Sequence, residues 1–220
     1  MNRSERSAPT VRARREPPRF RRVAVRRVQH LSPRLLRVTL TGPDLAGLTV
    51  ERPAASVRLL LPSTGPQELV IPTWNGNEFL LPGGRRPTIR TFTPRRVDPE
   101  ALELHVEIVI HDAGVASEWA AAAEPGDPAA ISGPGRGYAI DRDVTAFLLA
   151  GDETAIPAIS QLLEALPAET AVRVHIEVAH TDARLALPDH PGRPSSGATC
   201  RWRVFRRRAR RRRPRRGPRS

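Results

Sequence analysis

Arg90-Thr91-Phe92-Thr93 places a fixed cation, an aromatic ring and two hydroxyl groups within four residues. A guanidinium group presents a rigid fork of hydrogen-bond donors that suits a phosphate. If this stretch is a strand, Phe92 lies on the same side as Arg90, because side chains alternate with a period of two. A phosphate beside a planar ring describes a flavin nucleotide. Taken alone, the pattern is also typical of an edge strand with one exposed arginine.

The segment that follows adds the start of a helix. Leu102–Ile110 (LELHVEIVI) alternates strongly and predicts a strand, and His111–Ala120 (HDAGVASEWA) predicts a glycine-containing turn that opens a helix near Ser117. The first N–H groups of a helix have no partner within it and lie at the positive end of its dipole, so they suit a pyrophosphate. We therefore expect the Arg90 strand and this helix to hold one diphosphate.

Short alternating segments with proline and glycine turns surround this stretch and predict a small barrel in residues 19–141. Six antiparallel strands are expected, at Phe20–Val28, Arg34–Leu40, Val57–Leu61, Thr88–Thr93, Leu102–Ile110 and Ala129–Ser132. Gly133–Gly137 resembles a phosphate loop only loosely, and we interpret it as a plain turn.

The pattern changes after Asp141. Thr145–Ala150 is a continuous apolar run, Ala155–Leu166 has apolar residues at helical spacing, and Val172–Ala179 predicts a second strand. Together they form one β-α-β unit, which predicts a partial parallel α/β domain over residues 142–188. From residue 189 onward no strand or helix period is visible, so residues 189–220 are predicted to be a disordered arginine-rich tail. Residues 1–18 are predicted to be a disordered basic arm.

The net charge of +13 is unevenly distributed along the 220 residues. Residues 191–220 contain 13 arginines and no acid, residues 1–27 carry +8, and residues 28–190 carry −8. Basic ends favour nucleic acid or another anionic surface. The alternative function is therefore nonspecific nucleic-acid binding through the tail, where only Trp202 and Phe205 are available for stacking on bases.

Other classes of protein and of site find little support. Cys200 is the single cysteine, so no internal disulfide forms, and no apolar run is long enough to span a membrane. The arginine-rich N-terminus lacks the apolar segment of a secretory signal. No spacing of Cys and His predicts a metal site, and no Ser-His-Asp arrangement is identifiable; His105 and His175 are expected to be structural. We expect a cytoplasmic monomer.

Six stretches together resemble the siderophore-interacting protein family, which are FAD-dependent ferric-siderophore reductases of the ferredoxin-reductase superfamily. They are Ser32–Asp44, Val57–Pro62, Arg90–Arg95, His111–Ala120, Pro125–Pro134 and Phe147–Ile159. The resemblance covers roughly residues 20–187. It implies a six-stranded FAD barrel followed by an α/β domain that receives NAD(P)H.

The resemblance also implies the roles of individual residues. Arg90 would bind the FAD phosphates, Phe92 would stack on the isoalloxazine where the family usually has tyrosine, and Thr93 would hydrogen-bond the flavin. Thr154 would lie near the adenine at the domain junction. The segment after the barrel strand would line the diphosphate and adenine side. The full expected set is Arg90, Thr91, Phe92, Thr93, His111, Gly114, Ala116, Ser117, Trp119 and Thr154.

In the implied mechanism NAD(P)H reduces FAD, which passes single electrons to siderophore-bound Fe(III), and no side chain acts as a catalytic acid or base. The sequence departs from the family in several places. Val115 replaces a usual proline, and Ser56 stands where a histidine is common. The later strands of the α/β domain give way to arginine, for which a frameshift near residues 180–200 is one hypothesis. We therefore expect feeble NAD(P)H-driven turnover, or an inactive flavin-binding remnant.

Overall fold

The structure is a computed structural model, and it describes residues 19–62, 68–111, 114–192 and 200–204. The predictions for residues 1–18 and for residues 205–220 lie outside these ranges. Among the described residues, no helix has the length and apolar composition needed to cross a bilayer.

Strands are the predominant regular elements of the described chain. They are β1 (Phe20–Ser32), β2 (Leu35–Thr41), β3 (Val57–Leu61), β4 (Thr73–Trp74), β5 (Phe79–Leu80), β6 (Thr88–Phe92), β7 (Pro94–Asp98), β8 (Glu103–Val109), β9 (Pro128–Ser132), β10 (Ala146–Asp152), β11 (Ala171–Val178) and β12 (Cys200–Val204). The two α-helices are α1 (Val115–Ala122) and α2 (Ile156–Ala165). Short 3-10 helices occupy Pro43–Leu45, Pro82–Gly84, Glu153–Ala155 and Thr181–Ala183.

In the described chain, seven antiparallel strands form the main sheet, in the order β6-β3-β9-β1-β2-β8-β7. Its two edge strands, β6 and β7, are separated in sequence by Thr93 alone. One segment, residues 88–98, therefore supplies both edges, and we call it the seam. The predicted six strands become seven because the expected strand Thr88–Thr93 continues past Thr93 as β7. Its Pro-Arg-Arg-Val-Asp sequence has no apolar alternation to reveal a strand.

The barrel core consists of the apolar residues that alternate inward along these strands. Val38, Leu40, Leu59, Leu104 and Val106 are essentially inaccessible to solvent. Burying each leucine contributes roughly 1.5–3 kcal/mol relative to leaving it exposed. This packing confirms a mostly antiparallel barrel-like sheet.

A second, parallel sheet has the strand order β10-β11-β12, with α2 connecting β10 to β11. Along β11 the valines and Ile176 are buried on the face that packs against α2, whereas Arg173, His175 and Glu177 are exposed on the other face. The structure therefore contains the predicted partial α/β unit.

Strand β12 corrects one prediction. Residues 189–220 are predicted to contain no strand, yet Cys200–Val204 pairs in parallel with β11, with Ile176 opposite Trp202. The sequence Arg201-Trp202-Arg203 does alternate, since both arginines are exposed while the indole packs against the core of this unit. The high arginine content of β12 obscured this alternation of side chains, which is the pattern of a strand. His190 is also buried, and its ring nitrogen lies within hydrogen-bonding distance of the Pro167 carbonyl.

Candidate functional site

A cavity of about 470 Å³ lies between the barrel and the α/β unit. We call it the junction cavity. The seam, the end of β8 and the start of α1 line one part of it, and the 3-10 turn before α2 lines another. Nine of the ten predicted site residues are among the lining residues: Arg90, Thr91, Phe92, Thr93, His111, Gly114, Ala116, Ser117 and Thr154.

The β6 strand brings a cation and an aromatic ring to this cavity. In the pairing of β6 with β3, Arg90 lies opposite Leu59 and Phe92 lies opposite Val57. Phe92 is half-buried and packs against the barrel core, which fixes its ring. The Arg90 side chain is exposed and donates to the carbonyl of Ile89 at 2.9 Å. Among the described residues no carboxylate forms an ion pair with it, so its charge is available to an anion.

The first turn of α1 packs closely against His111. The backbone N–H of His111 donates to Ser117 Oγ at 2.8 Å, and this hydroxyl donates back to the His111 carbonyl at 3.0 Å. A Cβ at Gly114 would lie 2.5 Å from Cε1 of the His111 ring, so only glycine fits beside the imidazole. This arrangement presents the first turn of the eight-residue helix to the cavity, with N–H groups that have no partner within the helix.

Thr154 enters from the α/β unit. Its backbone N–H and its hydroxyl both donate to Asp152 Oδ1, at 2.9 and 2.6 Å. Because the hydroxyl proton is committed to Asp152, Thr154 Oγ1 can only accept a hydrogen bond from a ligand. Asp152 caps the 3-10 turn that leads to α2 and thereby fixes Thr154 at the cavity wall.

Trp119 is placed differently from the other nine. It is not among the described residues that line the junction cavity, and its indole packs against the barrel core. Its described contacts are therefore those of a core residue that anchors α1.

Several residues that line the cavity do not appear in the predicted set. Ala54, Ala55 and Ser56 line it before β3, and Pro157 lines it from α2. Glu107 also lines it, with a buried carboxylate that accepts from Arg37 Nη2 at 2.6 Å on the neighbouring strand. Because Arg37 neutralises the Glu107 carboxylate, Glu107 does not offset the positive charge of Arg90. Small residues in an irregular loop carry no sequence pattern that could have revealed this wall.

A second cavity, of about 380 Å³, adjoins the first and shares Ala55 with it. We call it the basic mouth, because Arg52 and Arg136 line it with exposed side chains and Glu51 is the one acid among the described lining residues. Gly137 permits the approach of these two segments, since a Cβ there would lie 2.5 Å from that of Arg52. The interpretation of Gly133–Gly137 as a plain turn did not anticipate this cavity.

The junction cavity fits a flavin dinucleotide by the chemistry of its donors. Arg90 and the first-turn N–H groups of α1 suit a diphosphate, and the ring of Phe92 suits a planar heterocycle. No acidic group that is free of a cation opposes these donors among the described lining residues.

Comparisons with known proteins agree with this geometry. A family model described as the siderophore-interacting FAD-binding domain matches residues 24–138, and a second, described as siderophore-interacting protein, matches residues 144–212. The second match extends into the segment predicted to be a disordered tail.

Three similar proteins illustrate the relationship. The NADPH-dependent ferric-chelate reductase of Escherichia coli is 35% identical over 148 residues, which are 67% of this chain and 58% of that protein. An uncharacterized protein of Mycobacterium tuberculosis is 50% identical over 108 residues, 49% of this chain and 38% of its own length. The crystal structure of a siderophore utilization protein from T. fusca superposes with a TM-score of 0.73 at 34% identity, covering 86% of this chain and 70% of that one.

The chain thus spans between about two fifths and three fifths of the length of these two curated relatives. Its likeness to the T. fusca protein runs through both the barrel and the α/β unit, because 86% of the chain is covered. The chain belongs to the siderophore-interacting protein family, and its barrel is that family's FAD-binding domain.

Proposed function

We propose that this chain is a flavoprotein that passes electrons from NAD(P)H to siderophore-bound ferric iron. The observation that carries the proposal is the convergence of nine predicted residues from separate elements on one junction cavity. Arg90 and the N-terminus of α1 would hold the diphosphate, and Phe92 would lie against the isoalloxazine. Thr93 would hydrogen-bond the ring, and Thr154 would accept a hydrogen bond on the adenine side.

When bound, FAD supplies the conversion between a two-electron donor and a one-electron acceptor. Each NAD(P)H would deliver two electrons, which reduce two Fe(III) ions to Fe(II) and leave NAD(P)⁺ and a proton. The described residues contribute placement and electrostatics. Neither acid nor base catalysis is needed, since neither transfer to iron moves a proton at a side chain.

The basic mouth is the proposed site of the ferric siderophore. Siderophores bind iron through oxygen donors that carry negative charge. A ferric complex is therefore an anion when the negative charge of the siderophore exceeds the three positive charges of Fe(III). Arg52 and Arg136 form no ion pair with another described residue, and their cavity adjoins the junction cavity at Ala55. An anion held there would lie beside the flavin, which electron transfer requires.

The α/β unit is the proposed docking surface of the nicotinamide nucleotide. In parallel sheets ligands bind beyond the carboxyl ends of the strands. The carboxyl end of β10 leads directly to Thr154 and the junction cavity. Since the reaction depends on NAD(P)H, we propose that the chain works in the cytoplasm.

The decisive experiment combines flavin content with anaerobic turnover. The purified chain should be yellow or take up FAD on reconstitution. NADH or NADPH should bleach its flavin absorbance, but only slowly, because arginine stands where the family has the later strands of the α/β domain. With a ferric siderophore present, a ferrous chelator should then report Fe(II). A colourless chain that fails to bind added FAD would sink the proposal.

Charge reversal tests the basic mouth separately. Arg52→Glu and Arg136→Glu should each raise the KM for an anionic ferric siderophore by roughly threefold or more, since one exposed charge contact contributes up to about 1 kcal/mol. FAD affinity should stay unchanged. Arg85→Glu, at an exposed position outside both cavities, is the matched control. Equal KM values for all three variants would place the siderophore elsewhere.

A further inference from the structure

Gln161, on helix α2, hydrogen-bonds two neighbouring barrel segments that adjoin the junction cavity. Its Oε1 accepts from the backbone N–H of Ala54 at 2.9 Å. Its Nε2 donates to the carbonyl of Pro94 at 2.7 Å and lies 3.3 Å from that of Arg95. One carboxamide therefore uses both of its ends, and the groups it holds belong to two segments of the barrel that are 40 residues apart in the sequence.

Both of these segments border the cavity. Ala54 is the first residue of the wall that continues through Ala55 and Ser56 towards β3, and Pro94 directly follows Thr93 at the adjoining end of β6, where Phe92 pairs with Val57. Ala54 has a φ of +53°, in the left-handed region that alanine occupies only at an energetic cost. The hydrogen bond from Gln161 helps to hold this conformation, and with it the shape of the wall.

The position of Gln161 on its helix explains how it reaches the barrel. Pro157, Gln161 and Glu164 are spaced by four and three residues, so they share one face of α2. Pro157 lines the cavity, Gln161 bonds both barrel segments, and Glu164 pairs with Arg95. The helix face that contacts the barrel is thus continuous with the face that borders the site.

We propose that Gln161 is a positioning residue for the flavin. It fixes the Ala54–Ser56 segment against the seam, and it links the position of both to the seating of the α/β unit. This inference rests on the proposed function, because it assumes that the flavin occupies the junction cavity. Gln161 itself touches no reacting atom. It acts through Ala54 on one side and through the seam on the other.

The test compares Gln161→Met, which keeps the length of the side chain but removes all three contacts, with the wild-type chain. In the FAD-free protein, the Ala54 amide should exchange its hydrogen about tenfold faster in the variant. FAD should bind about tenfold more weakly, and the visible absorption bands of the bound flavin should shift because the two barrel segments no longer fix its surroundings.

Gln161→Glu supplies a rescue that depends on pH. At neutral pH its carboxylate accepts from Ala54 but repels the Pro94 carbonyl, so FAD affinity should fall. When protonated, the carboxyl group can accept from Ala54 and donate to Pro94, as the amide does. FAD affinity relative to wild type should therefore recover as the pH is lowered through the pKa of the introduced group, which a merely structural role would not produce.

Glu164→Gln is the matched control, since it removes the ion pair with Arg95 from the same helix face while leaving the Gln161 contacts in place. It should leave FAD affinity and the flavin spectrum unchanged. The inference is overturned if Gln161→Met keeps wild-type affinity and spectrum, or if Glu164→Gln impairs them equally. If the wild-type chain binds no FAD, the proposed function fails, whereas Ala54 exchange still decides whether Gln161 holds the wall.

Discussion

Arg34 and Glu153 form a two-point ion pair, in which Nε donates to Oε2 at 3.1 Å and Nη2 donates to Oε1 at 2.7 Å. Arg34 lies in the turn between β1 and β2, whereas Glu153 begins the 3-10 turn that carries Thr154. Both side chains are largely buried. The pair therefore fastens the α/β unit to the barrel next to the junction cavity, at the start of α2, whereas the Arg95–Glu164 pair does so at its end.

Breaking this pair should loosen the α/β unit. Arg34→Ala leaves the Glu153 carboxylate partly buried without this partner, so it should cost roughly 1.5–3 kcal/mol of unfolding free energy. Chemical denaturation of Arg34→Ala, Glu153→Ala and the double variant gives the coupling energy directly. If the two single losses simply add, the pair contributes no coupling and the interpretation is wrong.

Removing the charge of Arg90 should weaken FAD retention. A charge-assisted contact to a phosphate is worth roughly 1.5–3 kcal/mol, so Arg90→Ala should raise the Kd for FAD by at least tenfold. Arg96→Ala removes the same charge from an exposed position of β7 outside the junction cavity and serves as the control. Fluorescence titration with FAD distinguishes them. Equal affinity in the wild type and Arg90→Ala would show that the diphosphate lies elsewhere.

The aromatic face of Phe92 should matter more than its lack of a hydroxyl group. Phe92→Tyr keeps the ring and should keep or improve FAD binding, because the added hydroxyl can reach a polar part of the ligand or solvent. Phe92→Leu keeps apolar bulk against the core but loses the flat face, so the affinity should fall while the fold persists. Titration with FAD and circular dichroism separate the two effects. Tighter binding by Phe92→Leu than by wild type would contradict stacking.

Gly114 should tolerate no side chain while His111 is present. The added methyl group of Gly114→Ala would lie 2.5 Å from the imidazole, so overpacking should cost roughly 1–3 kcal/mol and displace the start of α1. In the background of His111→Ala the same substitution should cost less, since the obstructing ring is gone. Thermal unfolding of the four proteins measures this. An identical penalty in both backgrounds would exclude the steric explanation.

Stability should decline on acidification, first through His105. Burial, reinforced by Arg37 and Arg27, lowers the pKa of His105 below its ordinary value of 6.5, despite a carboxylate oxygen of Glu103 at 3.6 Å. The unfolded chain therefore takes up a proton on this histidine at a higher pH than the folded chain does. The stability that the neutral ring contributes is present above pH 6.5 and is lost as the pH falls below it.

Glu103 adds a second loss at lower pH. Hydrogen bonding from Arg27 lowers the pKa of Glu103 below 4.5, so its contribution is present above that value and is lost as the pH falls through the folded-state pKa. Urea midpoints measured against pH should decline in two stages. His105→Gln should flatten the first stage only; a first stage of unchanged slope in this variant would assign it to another group.

The parts of the candidate site that have strong local sequence patterns could be predicted from the sequence. Leu102–Ile110 alternates, and Gly114 interrupts the chain before an alanine-rich helix, so their elements and their place at the cavity were predictable. Trp119 is of a type that serves equally well in a core and at a ligand, and only tertiary packing placed it in the core. The wall at Ala54 and Ala55 depends on a long-range contact with Gln161, which no local pattern encodes.

Strands β7 and β12 were not predicted, because charged residues mask the pattern of a strand in both. In β7 and β12 the arginines dominate the composition, although each strand is defined by its pairing with a neighbour that is distant in sequence, β8 and β11 respectively. Gln161 did leave a signal, since a polar residue four positions after Pro157 lies on the face of α2 that meets the barrel. That signal could not be interpreted from the sequence, because the sequence does not show which face of α2 contacts the barrel and which faces solvent.

Because the seam supplies both edge strands of the main sheet, a flavin bound to it would affect the stability of the whole sheet. Residues 88–98 hydrogen-bond to β3 through one half and to β8 through the other, so any opening of the sheet between its two edges must displace Thr93 and its neighbours. A flavin held by Arg90, Phe92 and Thr93, as proposed, would bind the joined form in preference to the opened one and would stabilise it by mass action. FAD binding would then be coupled to the pairing of the seam with β3 and β8. The melting temperature of the barrel should therefore rise with the concentration of free FAD.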